Sequence, residues 1–212
     1  MPQQPAPQAA KPASQPKPLP AVPPEFDAAP ILALDAPKLV QLVADPKSTV
    51  FQKAKACHRL AVIGGKDAVP AVAALLDHPE LSNYARFALE PNPDPSASTA
   101  LRNALPKLSG RRLAGAITSL GVRQDPKAVD LLIKYMDHAD SDVAGAALAS
   151  LGRIATPQAA KALHQALTSV RAELQPIAAR AALICATPDL LKALAGPNVP
   201  KPVRLAALKQ SS

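Results

Sequence analysis

The sequence predicts an all-α protein, a right-handed α-solenoid of stacked helix pairs behind a disordered, proline-rich N-terminal arm. Three observations predict this fold. Apolar residues recur every three or four positions from residue 31 onward, which is the periodicity of amphipathic helices. Whole segments repeat at a spacing of 31 residues. Prolines recur at one fixed place in that repeat, where a helix can begin without losing a hydrogen bond.

The arm is predicted to cover residues 1–30. This segment consists largely of Pro, Ala and Gln, with almost no large apolar side chain before Phe26. Such a segment buries too little surface to offset its ordering entropy, so we expect it to be disordered with polyproline II character. Two interpretations stay open. The arm is a spacer, or Pro18-Leu19-Pro20 together with Pro23-Pro24 docks on an aromatic groove of a partner.

The repeat is visible when segments are laid over one another without gaps. Residues 119–136 match residues 150–167 at a shift of 31, and residues 88–105 match residues 119–136 at the same shift. Residues 59–76 join them at a shift of 60. We therefore expect a solenoid of about five helix pairs over residues 31–212. Four leucines then share one structural position: Leu60, Leu89, Leu120 and Leu151.

A capping residue followed by proline marks each repeat. The side-chain oxygen accepts a hydrogen bond from a free backbone N–H, and proline supplies a helical φ where its missing donor costs nothing. Each pair is predicted to begin the second helix of its repeat. The four pairs are Asp94-Pro95, Asp125-Pro126, Thr156-Pro157 and Thr187-Pro188. The predicted helices cover residues 36–43, 48–63, 66–76, 81–90, 95–105, 109–121, 126–136, 141–152, 157–167, 170–184, 188–195 and 200–209.

The last seventeen residues predict the first helix of a further repeat that lacks its partner helix. In this segment Val203, Ala207 and Leu208 take the positions that Val143, Ala147 and Leu148 hold in an earlier repeat. A terminal repeat normally carries a polar cap. We expect an incomplete last repeat that belongs to a longer array, and the alternative is that this helix is itself the cap.

These repeated segments carry a resemblance to a known family. The stretch GAITSLGVRQDPKAVDLLIKYMDHADSDVAGAALASLGRIATPQAAKALHQAL resembles bacterial HEAT repeats, in particular the phycobilisome-lyase-like class. The likeness extends over roughly residues 45–210. KACHRLAVIGGKDAVPAVAALL and YARFALEPNPDPSASTALRNAL also look like repeat arrays that some bacteria export, joined in some cases to enzyme or cytochrome modules. The resemblance implies the fold, and it says little about function because the class occurs in many unrelated proteins.

The motifs do not favour catalysis. His58, His78, His138 and His164 are far apart in sequence, and His78 and His138 hold equivalent turn positions, which makes them part of the repeat. Gly64-Gly65 has no preceding strand and no phosphate-loop spacing. The two cysteines, Cys57 and Cys185, are expected to be buried small hydrophobes. Aromatic residues make up only 2% of the chain, too few for base stacking or tetrapyrrole packing. We expect no enzyme activity, no cofactor, no metal and no small-molecule substrate.

Basic residues suggest a candidate binding surface. The formal net charge is +8, which favours an acidic partner. A local excess of positive charge predicts a basic strip on the inner face, which second helices line in HEAT arrays, and the alternative is an ordinary solvated surface. The candidate partner-binding residues are Arg102, Arg111, Arg112, Arg123, Lys127, Lys134 and Arg153. Lys107 falls within the same stretch.

The function that the sequence favours is a non-catalytic scaffold for protein–protein interaction, with an acidic protein as the partner. One alternative is an electrostatic binder of nucleic acid or another polyanion, since phosphate contacts require only Lys and Arg. A second alternative is an accessory subunit of a lyase-type enzyme. No apolar stretch is long enough to span a membrane. The chain as printed has no secretory signal, which favours the cytoplasm, whereas a start site placed downstream of a real signal would mean export to the periplasm.

Overall fold

A computed structural model describes residues 23–197 and 199–211, and in these residues the regular structure is entirely helical. Helices of one layer pack side by side along the stack, and helices of a second layer do the same beneath them. The first layer consists of α3 (Val50–Ile63), α5 (Ser82–Leu89), α7 (Gly110–Val122), α9 (Ser141–Ile154), α11 (Gln175–Cys185) and α13 (Lys201–Ser211). The second layer consists of α2 (Ala36–Ala44), α4 (Val69–Ala73), α6 (Pro95–Ala104), α8 (Val129–Tyr135), α10 (Pro157–Ser169) and α12 (Pro188–Leu194).

Five helix pairs, α3–α4 to α11–α12, follow one another in the described chain, and α13 begins a sixth. Short 3-10 turns lead into three helices: Lys66–Ala68 before α4, Pro126–Ala128 before α8 and Ala172–Leu174 before α11. Another follows α6 at Leu105–Lys107. The predicted all-α solenoid is confirmed, and the predicted helix limits differ from the observed ones by a few residues at most, apart from α11 and its preceding turn.

The acid–proline and threonine–proline pairs begin second-layer helices as predicted. Asp94 accepts a hydrogen bond from Ser96 N–H at 2.9 Å, and Thr156 accepts one from Ala159 N–H at 3.2 Å. Asp125 accepts from the N–H of Lys127 at 3.2 Å, in the 3-10 turn that leads into α8. The fourth cap is wrong in its mechanism: α12 begins at Pro188, but the Thr187 side chain makes no capping hydrogen bond. At this position the preset φ of proline and tertiary packing are enough to begin the helix.

The residue before each of the last three caps has left-handed backbone geometry. Gln124, Ala155 and Ala186 have φ values of 49°, 52° and 52°, so this conformation recurs every 31 residues without glycine. It turns the chain from the end of a first-layer helix into the next second-layer helix. The equivalent residue one repeat earlier is Pro93, whose ring does not permit a positive φ. That turn is closed differently, by Asn92 and Arg123.

The core between the layers is aliphatic. Leu60, Leu89, Leu120 and Leu151, which share a position in the repeat, are all buried. Among the described residues, the buried hydrophobic side chains are Leu, Ile, Val and Ala, together with Cys57 and Met136, and none is aromatic. Such small and branched side chains allow the close helix packing that a solenoid requires.

Small residues bring α7, α9 and α11 into close contact. A Cβ added at Gly121 would lie 2.6 Å from Ser150 Oγ, and one added at Gly152 would lie 2.6 Å from the carbonyl oxygen of Ala181. Ser150 is buried and donates a hydrogen bond from its hydroxyl to the carbonyl of Ile117 at 3.0 Å. These contacts hold the neighbouring first-layer helices at a distance that larger residues do not permit.

The N-terminal boundary lies earlier than predicted. Residues 1–22 of the predicted arm are outside the described residues. Within its last eight positions Pro24–Phe26 forms a 3-10 turn, and α1 (Ala29–Leu32) begins there. The reason is tertiary packing: Ile31 is buried, and the Phe26 ring meets the Phe51 ring edge-on at 5.5 Å.

At the other end, α13 packs on α11 and α12 through Ala207, which is buried as predicted. Leu208 differs from its counterpart Leu148, since half of its surface is exposed. The cause is that no described helix covers that side of α13. None of the helices in the described part of the chain combines the length and apolarity needed to cross a membrane.

Candidate partner-binding surface

Arg123, a predicted partner-binding residue, forms its hydrogen bonds within the fold. Its guanidinium donates hydrogen bonds to the carbonyls of Leu89, Glu90 and Asn92 at 2.6, 2.9 and 2.6 Å. It also bonds the carbonyl of Asp94 at 3.2 Å and Ser98 Oγ at 2.7 Å. Burial lowers the pKa of this guanidinium, which nearby carboxylates partly oppose. Arg123 therefore holds the turn between α5 and α6 against the end of α7.

Two more of the predicted residues pair with acids of neighbouring elements. Arg102 on α6 forms an ion pair with Asp125, the buried cap of the next second-layer helix. Arg112 on α7 donates from Nε to Asp77 Oδ1 at 2.8 Å. Both pairs join successive repeats. Their positive charge is therefore partly neutralised within the fold.

The other four predicted residues, Arg111, Lys127, Lys134 and Arg153, are exposed, and none has an ion pair among the described residues. Lys127 precedes α8 and Lys134 lies near its end, seven residues on, which places both on one side of the helix. Asp130 is on the same side between them and is also exposed. The structure thus leaves a smaller and less uniform set of free cations than the sequence suggested.

The histidines in the two equivalent turns act as backbone acceptors. His78 Nδ1 accepts hydrogen bonds from the N–H groups of Glu80 and Leu81, both at 3.2 Å. His138 Nδ1 accepts one from Asp140 N–H at 3.1 Å. Each histidine closes the turn before a first-layer helix, as an Asp or Asn would. No three potential metal-binding side chains come together in the described residues.

The two cysteines differ in exposure. Cys57 is buried as predicted, and burial raises the pKa of its thiol to about 12. Cys185 is only half-buried, contrary to prediction, because it lies in the last turn of α11 just before the chain leaves the helix. Desolvation also raises the pKa of its thiol.

A feature that the sequence analysis missed is an aromatic surface on the first two repeats, formed by Phe26, Phe51, His58, Tyr84 and Phe87. The chain has three Phe and two Tyr, so this surface holds all of its aromatic residues except Tyr135. Phe26, Tyr84 and Phe87 are 53%, 43% and 48% exposed. His58 and Phe87 stack with ring centroids 5.1 Å apart and planes 5° from parallel. The rings are therefore preordered against each other while presenting one side to solvent.

A groove crosses this surface. It encloses a volume of about 390 Å³ and is lined by aromatic and small aliphatic side chains with one cation, Lys55. Lys55 Nζ lies 5.4 Å from the centroid of the Phe51 ring, a cation–π arrangement. The other lining residues are Phe26, Val50, Phe51, Ala54, His58 and Tyr84.

The spacing on α3 and α5 was the available signal. Phe51, Lys55, His58 and Val62 recur at intervals of three and four residues, so they form a stripe on α3 separate from the buried stripe that includes Leu60. Tyr84 and Phe87 are three residues apart on α5. Only the packing of α3 beside α5 brings these two stripes together.

A second and larger groove, of about 970 Å³, lies between α10 and α12. Its walls mix short aliphatic side chains with Lys161, His164, Asp189 and Lys192. These polar groups do not form hydrogen bonds with one another. The groove follows from the spacing between two stacked second-layer helices.

A family model supports the repeat assignment over part of the chain. Residues 94–184 match the family model described as HEAT repeats. No curated protein matches the chain. The structure of human deoxyhypusine hydroxylase in complex with glycerol is similar over 83% of this chain and 95% of that one, at 16% identity and a TM-score of 0.48. An engineered protein is similar over 83% of this chain and 94% of its own, at 22% identity and a TM-score of 0.47.

Proposed function

We propose that this protein is a non-catalytic HEAT-repeat scaffold that binds a partner protein through the aromatic surface of its first two repeats. The observation that carries the proposal is the placement of the aromatic residues. The aliphatic core contains none of the chain's rings, whereas three of them are about half exposed together on one face. The finer resemblance, to the phycobilisome-lyase-like class of bacterial HEAT repeats, belongs to the same proposal.

Physical chemistry favours a protein partner at such a surface. Aromatic side chains supply a large contact area at a low cost in conformational entropy, and they are enriched among the residues that dominate binding energy. The rings of Phe26 and Phe51, and those of His58 and Phe87, already hold one another in position. Binding there loses little rotamer freedom. The stacked helix pairs beneath supply a rigid base.

The charge beside the groove suggests the character of the partner. Lys55 is a lining residue, and the whole chain carries a formal charge of +8. An acidic residue flanking an apolar anchor of the partner would meet Lys55 at the groove. The partner we propose is therefore an acidic protein with an exposed apolar segment.

A pair of variants of the full chain tests this function. Phe87→Ala removes a half-exposed ring, and Ile184→Ala removes a side chain of α11 that is equally exposed, at 49% against 48%. Proteins crosslinked to each variant in cells would be quantified, and the affinity of the recovered partner for purified protein would be measured by calorimetry. We expect Phe87→Ala to weaken binding by about thirtyfold, the size of a hot-spot loss of roughly 2 kcal/mol.

Ile184→Ala should bind the partner as the unaltered chain does. Equal capture and equal affinity of both variants would contradict a role for the aromatic surface. Loss of capture by both would indicate that a different part of the array, or its overall stability, governs binding.

A second candidate function, binding of nucleic acid or another polyanion, rests on the four exposed cations that form no ion pair within the described part of the chain. Lys127→Gln combined with Lys134→Gln should weaken binding to duplex DNA, and Lys161→Gln on α10 serves as the control. A phosphate-binding surface loses affinity steeply as salt rises, by more than about tenfold between 50 and 200 mM for several contacts. Affinity that is insensitive to salt, or equal loss in the control, would exclude this function.

A further inference from the structure

The aromatic groove lies next to the point where the proline-rich segment enters the fold. The described chain begins at Pro23, three residues before Phe26, and Phe26 is itself a lining residue of the groove. Twenty-two residues precede Pro23, and seven of them are proline. A candidate ligand of extended, proline-rich chemistry is therefore tethered at the edge of an aromatic-lined groove.

We propose that residues 18–22 of this same chain, Pro-Leu-Pro-Ala-Val, dock in the groove and cover the aromatic surface. Grooves lined by aromatic side chains bind proline-rich segments because these already favour the extended polyproline II conformation and lose little entropy on binding. Docking would place apolar side chains on Phe51, His58, Tyr84 and Phe87. The inference concerns an occupant within the chain and goes beyond the proposed scaffold function.

The segment has the side chains that the groove requires. Leu19 and Val22 are three residues apart, and a polyproline II helix has three residues per turn, so in the proposed docked conformation both side chains would lie on the same side. Apart from Met1, they are the only large apolar residues before Pro23. None of residues 18–22 is charged, so docking brings no second cation next to Lys55.

The reach also fits. On α3 the exposed stripe runs from Phe51, against which Phe26 packs, to Val62, whose side chain is 74% exposed. Eleven residues of α-helix extend about 16 Å. Five residues in polyproline II conformation extend about 15 Å. Residues 18–22 can therefore follow the stripe along α3 without a hairpin.

Docking has a consequence for binding. A partner that uses the aromatic surface would have to displace the segment, so the chain would weaken its own affinity until the segment is released. This consequence rests on the proposed function. The docking itself does not, because it is measured on the isolated protein without any partner.

The test uses paramagnetic relaxation in the full chain. A spin label is attached at Ser14→Cys in a Cys185→Ala background, in which the remaining thiol, Cys57, is buried. Relaxation of methyl groups is measured at Val50, which lines the groove, at Val62, further along the exposed stripe of α3, and at Leu205 on α13 as the distant reference. We expect strong enhancement at Val62, which lies nearest the labelled end of the docked segment, weaker enhancement at Val50 and none at Leu205.

Two matched variants separate docking from mere tethering. Leu19→Ser with Val22→Ser keeps the tether and removes the apolar contacts, so the enhancement at Val62 should fall at least about threefold. Phe87→Ala should lower it as well, whereas Ile184→Ala should not. Enhancement unchanged by the serine substitutions would overturn the proposal.

A mixed sample identifies whose segment occupies the groove. Spin-labelled protein without isotope is combined with isotope-labelled protein without spin label. Absence of enhancement in the mixture is the result expected for docking within one chain. Enhancement in the mixture as strong as in the single sample would mean that a second copy supplies the segment, which overturns the assignment.

Discussion

The central repeats, α7 to α11, and the first two helix pairs, α3 to α6, share one plan but use their first-layer helices differently. In the centre, Gly121 and Gly152 bring adjacent helices into backbone contact, and Ser150 is buried between these helices. In the first two pairs, aromatic rings stand on the surface. Between α5 and α7 the contact is polar: Arg86 donates to the carbonyl of Gly115 at 3.2 Å, and the Ser119 hydroxyl of α7 donates to the Glu90 carboxylate at 2.7 Å.

In this molecule the largest side chains are therefore not the ones that contribute most to the free energy of unfolding. The centre derives stability from small residues and buried leucines, whereas the first pairs carry the largest rings and leave them half exposed. Removing a ring from the surface should therefore cost less stability than removing a leucine from the core, although the ring is larger. Substitutions in each region would show whether it holds.

The sharpest test compares Leu151→Ala in α9 with Phe87→Ala in α5. Leu151 is fully buried, so its truncation should lower the free energy of unfolding by roughly 3 to 4 kcal/mol. Phe87 is half exposed, and we expect its loss to cost under about 1 kcal/mol. Urea denaturation followed by circular dichroism measures both. Equal losses would break the contrast between the two regions.

The junction of the two regions depends on Arg123. Arg123→Lys keeps the charge but loses the planar fork that reaches four carbonyls, and it leaves buried acceptors without donors. We expect a loss of about 2 to 3 kcal/mol in unfolding free energy. Arg111→Lys, an exposed site on α7, is the matched control and should change stability by less than about 0.5 kcal/mol. If Arg123→Lys leaves the free energy of unfolding unchanged, the turn after α5 is stable without the guanidinium.

Close packing in the centre is tested by Gly152→Ala. The added methyl group would lie 2.6 Å from a carbonyl oxygen of α11, so the helices must separate. The strain outweighs the gain in helix propensity, and we expect a net loss of about 1 to 2 kcal/mol. Gly65→Ala is the control, since nothing lies within 4 Å of the added atom. A stabilised Gly152→Ala variant would show that the helices adjust freely.

A smaller effect of opposite sign is expected at the recurring turn. Ala155 has a φ of 52°, which glycine adopts without strain. Ala155→Gly should therefore raise the melting temperature, by a stabilisation of about 1 kcal/mol. The same substitution inside α7, Ala114→Gly, should destabilise by a similar amount. Destabilisation by both would mean that the turn is not strained in the native protein.

The acid dependence of stability gives the smallest signal. Ser96, through its side chain and backbone N–H, holds the pKa of the Asp94 carboxyl below its usual value, and Lys66 and Arg123 add to the effect. Because the folded pKa is depressed, this stabilisation is present above the unfolded pKa and is lost as pH falls through the folded one. Asp94→Asn keeps the cap but does not titrate.

The two proteins should therefore differ most in unfolding free energy at neutral pH and converge as pH falls through the lowered folded pKa of Asp94. Urea titrations over this range measure the difference, and Asp94→Ser provides a second non-titrating cap. A difference that stays constant with pH would exclude Asp94 as a source of acid sensitivity.

Most of the fold was predictable because the same capping residues and apolar periodicity recur in each repeat. Asp94, Asp125 and Thr156 each cap a second-layer helix at the predicted place, since capping depends on residues two or three positions apart. Thr187 shows the limit, because α12 begins at Pro188 without its side-chain bond. The left-handed turns at Gln124, Ala155 and Ala186 were not predicted, since neither residue type signals a positive φ.

The candidate site was less predictable. Arg123 belongs by sequence to a basic cluster, yet five acceptors from the preceding repeat surround it. Phe51 lies some thirty residues before Tyr84 and Phe87, and no short stretch of sequence shows the two sites together. They become a surface only when α3 and α5 stack.

Local sequence was enough to set where helices begin, which side of each helix is buried and how often the unit repeats. These properties follow from local hydrogen bonding and periodicity, which act within a few residues. The packing of the helices sets which cations form ion pairs or hydrogen bonds within the fold. It also sets which aromatic rings share a face. Those outcomes depend on contacts between residues one repeat apart, and the helix crossing distances that set such contacts are not written in any short stretch of chain.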